Sequence, residues 1–573
     1  MKINKLWIRN YRGFGPGGVW EPLSDLNESN AQVINLEKNI VFLTGKNNTS
    51  KSTVLNAYDL YFKSKSKVTK SDFYMSNEAN SIVIQAEIMA ELGELEPEDA
   101  KWHDENGIAL IRRIWRSDNS DSEKESYNVQ SGIWVKNGYK GFDTLLQKAL
   151  PDPIFISGYM SSSDVINQLN SLMKHAIISK ISNSDKYKEL QGIILDLQEE
   201  MAKSGYAQKI TGLMQSQLEK IFPGYSVHFE VLHDEAKIPS LFPGADISVL
   251  EEENKLPLEH HGHGLRRQFV LNALHGMCHE IKRLKTSKPK ELADQDYEQD
   301  PEKAGKVILF EEPELFLHPS AMRSVRDLLY EIADSGEFQI IAATHSPVLI
   351  DLSRDHQSIV RSRRGVNGAI INQVYSNIFD GDEKKKLSMI NKFNPYANEA
   401  FFSDRVVLVE GDTEQTVIRS LLEKWAGQYD GELHVLNCGT KNNIPLFQKI
   451  LRHFSIEYEV IHDLDARLNK SGGTNSAWTI NHSIWDEIET AREQGVHARG
   501  FIHNRNFEMA NGVASDGLKG KPLSALEGME SWNTDPNESE KPIVKYISTI
   551  LGLSNSLSIF YRSDLERLDD MGL

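Results

Sequence analysis

Four carboxylates in the second half of the chain are spaced for metal-assisted phosphate chemistry. Glu410 and Glu414 frame the run EGDTE, four residues apart, so at a helix start they fall on one face. Asp463 and Asp465 close the apolar segment VIHDLDA and alternate, so at a strand end both can point to one side. Carboxylates set this way bind hard cations such as Mg²⁺ or Mn²⁺ through oxygen. Two such ions can activate a water and stabilise the leaving oxygen of a phosphodiester.

The first half carries a different phosphate motif. Gly45-Lys46-Asn47-Asn48-Thr49-Ser50-Lys51-Ser52-Thr53 follows the apolar strand NIVFLT and opens a helix. Backbone N–H groups at such a helix start cradle phosphates. The expected ATP contacts are Gly45, Asn47, Asn48, Ser50, Lys51, Ser52 and Thr53. Lys51 would meet the β and γ phosphates, and Ser52 would hold Mg²⁺. Ser50 stands where a second glycine is usual, and its Cβ enters a place where backbone and phosphate approach closely. Binding tolerates that better than turnover does. Further on, the buried run VILF delivers Glu311 and Glu312 to a strand end. Glu311 would hold Mg²⁺ through water, and Glu312 would orient the attacking water. His345 ends the next strand, in AATHS, as a sensor of the γ-phosphate.

These groups need elements to hold them. Residues 1–60 read strand, loop, strand, loop, helix. SIVIQAEIMAEL and IALIRRIWRS alternate like antiparallel strands joined through a polar hairpin loop, Asp118–Ser126. KVILF, SAMRSVRDLLYEIAD and QIIAATH form a strand–helix–strand pattern. RVVLVEG, LHVLNCG and YEVIHDLD are three strands of a second, smaller α/β unit. The fold class is therefore α/β. The expected domains are an ATPase N-lobe over 1–160, a helical insertion for dimerisation over 161–224, a C-lobe over 225–376, a linker over 377–404, and a metal-binding domain over 405–573.

Composition sets limits. A chain of 573 residues is too long for one core. No apolar run approaches the ~18–20 residues of a membrane helix, so no membrane partner and a cytoplasmic location are expected. With Lys plus Arg 64 against Asp plus Glu 82, the net charge of −18 does not fit a non-specific nucleic-acid coat. A local basic groove could still receive a backbone, and RSRRG at Arg361–Gly365 is one candidate. Only two cysteines, Cys278 and Cys438, rule out a disulfide framework.

In order, NYRGF, GKNNTSKST, HGHGLRRQ, FEEPE and ATHS resemble the motifs of ABC-type ATPase heads of the SMC, Rad50 and RecF class. That resemblance implies that Gly262 and Gly264 let a helix start approach the γ-phosphate of a partner subunit, and that Gln85 is the glutamine of the family's Q-loop. The Glu-Gly and Asp-x-Asp motifs resemble the Toprim fold of primases, topoisomerases and certain nucleases. Together with the NPYANEAFFSDRVVLVEG junction, the whole chain is similar to the OLD (overcoming lysogenization defect) nuclease family, which takes in Gabija-type defence nucleases and retron-linked effectors. The resemblance implies a metal-dependent DNA endonuclease under ATP control, in phage defence. It implies Glu410, Glu414, Asp463, Asp465 and Glu508 as metal ligands, Lys521 as the basic residue near the scissile phosphate, and a family segment at Gly439-Thr440-Lys441. It further implies DNA as partner, a homodimer or homotetramer, and a helicase-like protein or a reverse transcriptase with its small DNA. Two other readings stand beside it: an ATP-driven repair or clamp protein with a non-cleaving Toprim-like domain, and a nucleotide-gated scaffold.

Overall fold

Apolar runs without polar alternation become strands covered on both faces, as parallel sheets require. In the computed structural model, IVFLT is such a strand, with every residue buried. Its Val41, Phe42 and Leu43 are completely buried and each contributes about 1.5–3 kcal/mol. The structure describes all residues except 17–25, 28, 64–66, 91–96, 140–149, 151–152, 159–204, 232–244, 252–253, 258–259, 287–305, 470, 514–519, 555–561 and 571–573. It forms two units, residues 1–350 with 358–371, and residues 351–357 with 372–573.

Among the described residues the first unit is built on three sheets. One is antiparallel, from β1 (Lys2–Arg9), β2 (Gln32–Asn35), β4 (Ile82–Met89), β5 (Ile108–Trp115), β6 (Glu123–Asn128) and β7 (Ile133–Lys136), in the order β2-β1-β4-β5-β6-β7. The second is built on β3 (Ile40–Thr44), with β8 (Ile154–Ile156), β12 (Lys306–Glu311), β13 (Phe338–Ala343), β14 (Ile359–Gly365) and β15 (Gly368–Gln373), in the order β15-β14-β3-β13-β12-β8. β3, β13, β12 and β8 run parallel. A three-stranded sheet joins β9 (Tyr225–Val231), β10 (Ala245–Glu251) and β11 (Asn254–Pro257). Its helices are α1 (Lys51–Phe62), α2 (Gly205–Ile221), α3 (His263–Thr286) and α4 (Pro319–Asp334). The helical insertion expected over 161–224 falls mostly outside the described residues, and α2 is the part of it described.

β4 and β5 pair antiparallel as expected, but neither face is open. Gln85, Glu87, Arg112 and Arg113 are all buried. The buried charge is matched: Arg112 Nε–H donates to Glu125 at 2.9 Å, and the guanidinium stacks over Trp134 at 3.8 Å. The hairpin loop is shorter than expected, because β6 begins at Glu123. RSRRG is not a surface patch throughout, since Arg361 and Ser362 are buried within β14.

The second unit is built on a four-stranded parallel sheet of order β17-β16-β18-β19, from β16 (Arg405–Val409), β17 (Leu433–Asn437), β18 (Glu457–Asp463) and β19 (Ala498–His503). Helices α5 (Gly381–Phe393), α6 (Asp412–Lys424), α7 (Ile444–His453), α8 (Ser476–Glu493), α9 (Phe507–Asn511), α10 (Lys521–Glu530) and α11 (Pro542–Ile550) belong to the same unit. Residues 377–404 thus carry α5 and a 3₁₀ turn, Pro395–Phe402. Apolar faces of α6, α10 and α11 cover β16 through Val417, Leu421, Ala525, Met529, Ile543 and Ile547.

Candidate functional site

In the first unit the phosphate loop leaves β3 and turns into α1. Gly45 has φ 126°, and a Cβ there would lie 2.0 Å from the Ser362 carbonyl oxygen, so only glycine fits. Ser50 caps α1 with φ 73° and no side-chain cap hydrogen bond. The left-handed region costs a non-glycine residue about 1–2 kcal/mol. Space for its side chain comes from Gly13 of NYRGF, where a Cβ would lie 1.8 Å from Ser50 Oγ. Lys51 is buried, and its Nζ donates to the carbonyls of Gly45 at 2.7 Å and Lys46 at 2.6 Å. Burial lowers its pKa to about 8, while Glu312 and Glu314 push the other way.

β12 and β13 bring their ends to the same loop. Glu312 N–H donates to the Ala343 carbonyl at 2.7 Å, and Glu312 Oε1 lies 3.8 Å from His345 Nε2. Burial, with Lys51 second, lowers the His345 pKa to about 4, so the ring is neutral at pH 7. Arg267 of HGHGLRRQ pins the strand end, donating to the carbonyls of Ser157 at 2.9 Å, Glu311 at 2.7 Å and Glu312. Gly264 has a local reason too: a Cβ would lie 2.6 Å from the Phe316 carbonyl oxygen. Gly262 is exposed with no such neighbour. Sequence reading passed over Glu314. It is buried, accepts the His345 N–H at 2.6 Å, and burial raises its pKa. Gln85 lies mid-strand on β4, between Trp7 and Arg112.

The second unit gathers its carboxylates at the carboxyl ends of β16 and β18, where α6 begins. Glu410 Oε1 accepts the Asp463 backbone N–H at 2.7 Å. Burial and then Asp463 raise the Glu410 pKa to about 7, with Lys441 acting against them. Glu414, on the first turn of α6, is raised to about 8, chiefly by burial, with Asp463, Glu410 and Glu508 adding repulsion. Lys441 is buried, and its Nζ donates to Asp465 Oδ2 at 2.7 Å and to the Asp463 carbonyl. Asp465 has φ 63°, an unusual conformation that aspartate tolerates better than most residues. Glu508 Oε1 accepts from Lys521 Nζ at 2.8 Å, which raises the Lys521 pKa. Sequence reading also missed His503, the register partner of Asp463 on β19; its Nδ1 lies 3.5 Å from Asp463 Oδ1.

These residues fit a divalent cation. Like charges are buried together and disfavour ionisation, which a cation would reverse. Asp463 Oδ1 is buried with no hydrogen-bond partner. Among the described residues no three acidic or imidazole groups close into a cage. An open set suits Mg²⁺, which keeps several waters and uses few carboxylates.

Comparison with known proteins agrees with this division. The AAA ATPase domain family matches residues 111–350, and the TOPRIM domain of overcoming lysogenization defect protein-like sequences matches residues 401–465. The Old nuclease of Escherichia phage P2 is 24 % identical over 449 residues, covering 74 % of this chain and 73 % of that protein. Endonuclease GajA of Bacillus cereus is 29 % identical over 126 residues, 22 % of this chain and 20 % of its own. The Smc head domain of Pyrococcus furiosus, bound to the C-terminal domain of ScpA, aligns with 68 % of this chain and 99 % of that one, at 14 % identity and a TM-score of 0.41. The chain thus carries an AAA ATPase domain followed by an OLD-like Toprim domain, and it is similar to OLD nucleases and to endonuclease GajA.

Proposed function

We propose that this chain is a divalent-metal-dependent DNA endonuclease, governed by ATP bound to its first unit and serving in defence against phage. The observation that carries the reading is the buried repulsion among Glu410, Glu414 and Asp463. Folding gathers charges that oppose one another there, which is costly unless a cation is to be held. Glu410, Glu414, Asp463, Asp465 and Glu508 would hold Mg²⁺ or Mn²⁺, which supplies an activated water and stabilises the leaving oxygen. Lys521 is exposed and bonded to Glu508, within reach of an incoming phosphate, whose transition-state charge it would stabilise.

In the first unit Lys51, freed from the Gly45 and Lys46 carbonyls, would bind the β and γ phosphates of ATP. Ser52 and Glu311 would hold its Mg²⁺. Glu312 would orient a water, and neutral His345 would sense the γ-phosphate. Gly262 and Gly264 of a second copy would complete the site, consistent with a homodimer or homotetramer. A helicase-like protein, or a reverse transcriptase with its small DNA, is the proposed partner, in the cytoplasm. No described helix is long and apolar enough to cross a membrane.

The test is plasmid and linear DNA incubated with Mg²⁺ or Mn²⁺, with and without ATP, beside Asp463→Ala. Cutting that the variant lacks is expected, and the ATP lanes give the sign of control. Equal cutting by the variant would remove the Toprim site from the reaction.

A further inference from the structure

The second unit holds a cavity of about 660 Å³ beside its carboxylate centre. That size suits a small molecule or a single nucleotide. Its wall includes Asp412, which lies between Glu410 and Glu414 in sequence, so an occupant would neighbour the proposed metal ligands.

Three side-chain amides on this wall use their nitrogens in the same way. Asn394 Nδ2 donates to the Asn437 carbonyl at 3.2 Å, Gln415 Nε2 to the Val435 carbonyl at 3.2 Å, and Asn443 Nδ2 to the Cys438 carbonyl at 2.8 Å. A backbone carbonyl can only accept, so the sense of each amide is settled. The three amide oxygens accept no hydrogen bond among the described residues. Glu399 and Asp412 add more acceptors. Against them stands Arg419, an exposed guanidinium that makes no hydrogen bond among the described residues. Tyr396 completes the wall with a ring that is 65 % exposed.

This chemistry asks for an occupant with amino donors, a flat face and an anion. A polyamine would meet the acceptors but leave Arg419 and the exposed ring of Tyr396 without a use. Cytosine, adenine and guanine carry exocyclic amines, whereas thymine and uracil present an oxygen at the matching place. We propose that the cavity receives one unpaired nucleotide of the DNA strand being cut. Its amino-bearing base meets the amide oxygens, Tyr396 stacks on its ring, and Arg419 binds its phosphate. The proposal rests on the nuclease reading and adds base selection to it. A base held this way must be single-stranded or flipped from its stack.

The test uses the full chain in EDTA, so that no cutting occurs, with dye-labelled single-stranded oligomers of deoxycytidine or deoxyuridine. These differ at position 4, amino against oxygen, and at N3, a bare acceptor in cytosine and an N–H in uracil. The deoxycytidine oligomer is expected to bind about fivefold tighter or more, because its amine offers two N–H donors to the amide oxygens where uracil offers one and sets an oxygen beside it. Gln415→Leu and Asn394→Leu should bring the ratio towards one, and Tyr396→Ala should weaken both oligomers. Equal affinities in the parent, which need no variant to read, overturn the proposal; so does a ratio that survives both leucine substitutions in folded protein. The mononucleotides dCMP and dUMP, used as competitors, separate the sources. Discrimination by mononucleotides without discrimination by oligomers means a free nucleotide is the occupant, and the strand proposal falls. Plasmid cutting with Mg²⁺ is scored separately. Cutting with equal oligomer affinities removes the cavity proposal alone; discrimination without cutting removes the nuclease reading and with it the nucleotide's place in a strand being cut, leaving base binding alone.

Discussion

Two glutamates on neighbouring parallel strands of the second unit meet opposite environments. Glu459 lies within β18, completely buried, and Glu410 follows the end of β16. Burial alone would raise both pKa values. For Glu459, hydrogen bonds and charge from His497, Arg405 and Arg499 outweigh burial and hold the carboxyl below 4.5, with Arg405 at 2.5 Å and Arg499 at 2.8 Å. For Glu410 burial is reinforced by Asp463, and the pKa rises to about 7. One carboxylate is matched by the protein's own cations; the other lacks its full counter-charge. Burial therefore does not separate structure from function here, and charge balance does.

The comparison fails first if Glu410 is structural. Glu410→Gln should lower cleavage by on the order of 10²–10³-fold, the scale for losing one positioned electrostatic group. In EDTA at pH 8 its melting temperature should equal or exceed the parent's, because a repelled charge is gone. A clear fall in melting temperature would place Glu410 with Glu459. The converse substitution, Glu459→Gln, leaves the cations Arg405 and Arg499 without their buried partner and should cost about 3–5 kcal/mol, read by urea denaturation. Because the Glu459 pKa is lowered, its stabilisation is full above the ordinary value of 4.5 and disappears as pH falls through the lowered one. The difference between parent and variant should shrink in acid. Variant protein that stays folded should still cut.

Lys441 sharpens the contrast, since it is the one buried cation bonded to the carboxylate centre among the described residues. Lys441→Met takes a donor from Asp465 and deepens the repulsion at Glu410. A loss of about 1–3 kcal/mol in EDTA is expected, the scale for stranding a buried polar group. Mg²⁺ should recover part of it by binding only the folded state. Equal stability of parent and variant in EDTA would show that Lys441 is no counter-ion.

How far the sequence reached depended on the kind of contact. RVVLV, VIHD and NIVFLT were legible as strands of an α/β unit, because short apolar runs suit strands covered on both faces. The spacing of Glu410 and Glu414, and of Asp463 and Asp465, drew attention to these residues, but regular periods do not place them: α6 begins at Asp412, after Glu410, and β18 ends at Asp463, with Asp465 beyond it at φ 63°. Glu459 was not, since its partners Arg405 and Arg499 come from neighbouring strands and register is not written locally. His503 opposite Asp463 was hidden for the same reason. Glu314 gave no signal apart from standing in an acidic run, because its use lies in its burial and in the His345 N–H it accepts. Ser50 stood out as a departure from a glycine pattern, but the residue that makes room for it is remote in sequence.

That pairing gives the smallest effect and extends the contrast to the first unit, where Lys51 supplies a cation among Glu312 and Glu314. Its position depends on a loop holding Ser50 at φ 73° against Gly13. Gly13→Ala alone drives a Cβ to within 1.8 Å of Ser50 Oγ and should weaken both ATP binding and stability. Ser50→Gly alone removes the left-handed cost and should stabilise by about 1 kcal/mol. In the double variant the clash has no partner, so most of the Gly13→Ala loss should vanish, leaving a coupling of about 1 kcal/mol or more. Isothermal titration with ATP and thermal melts of the four proteins measure it. Additive losses would mean that Gly13 serves the loop by some route other than Ser50, whereas a strong coupling would identify NYRGF as the segment that lets serine occupy a glycine's place beside the phosphates.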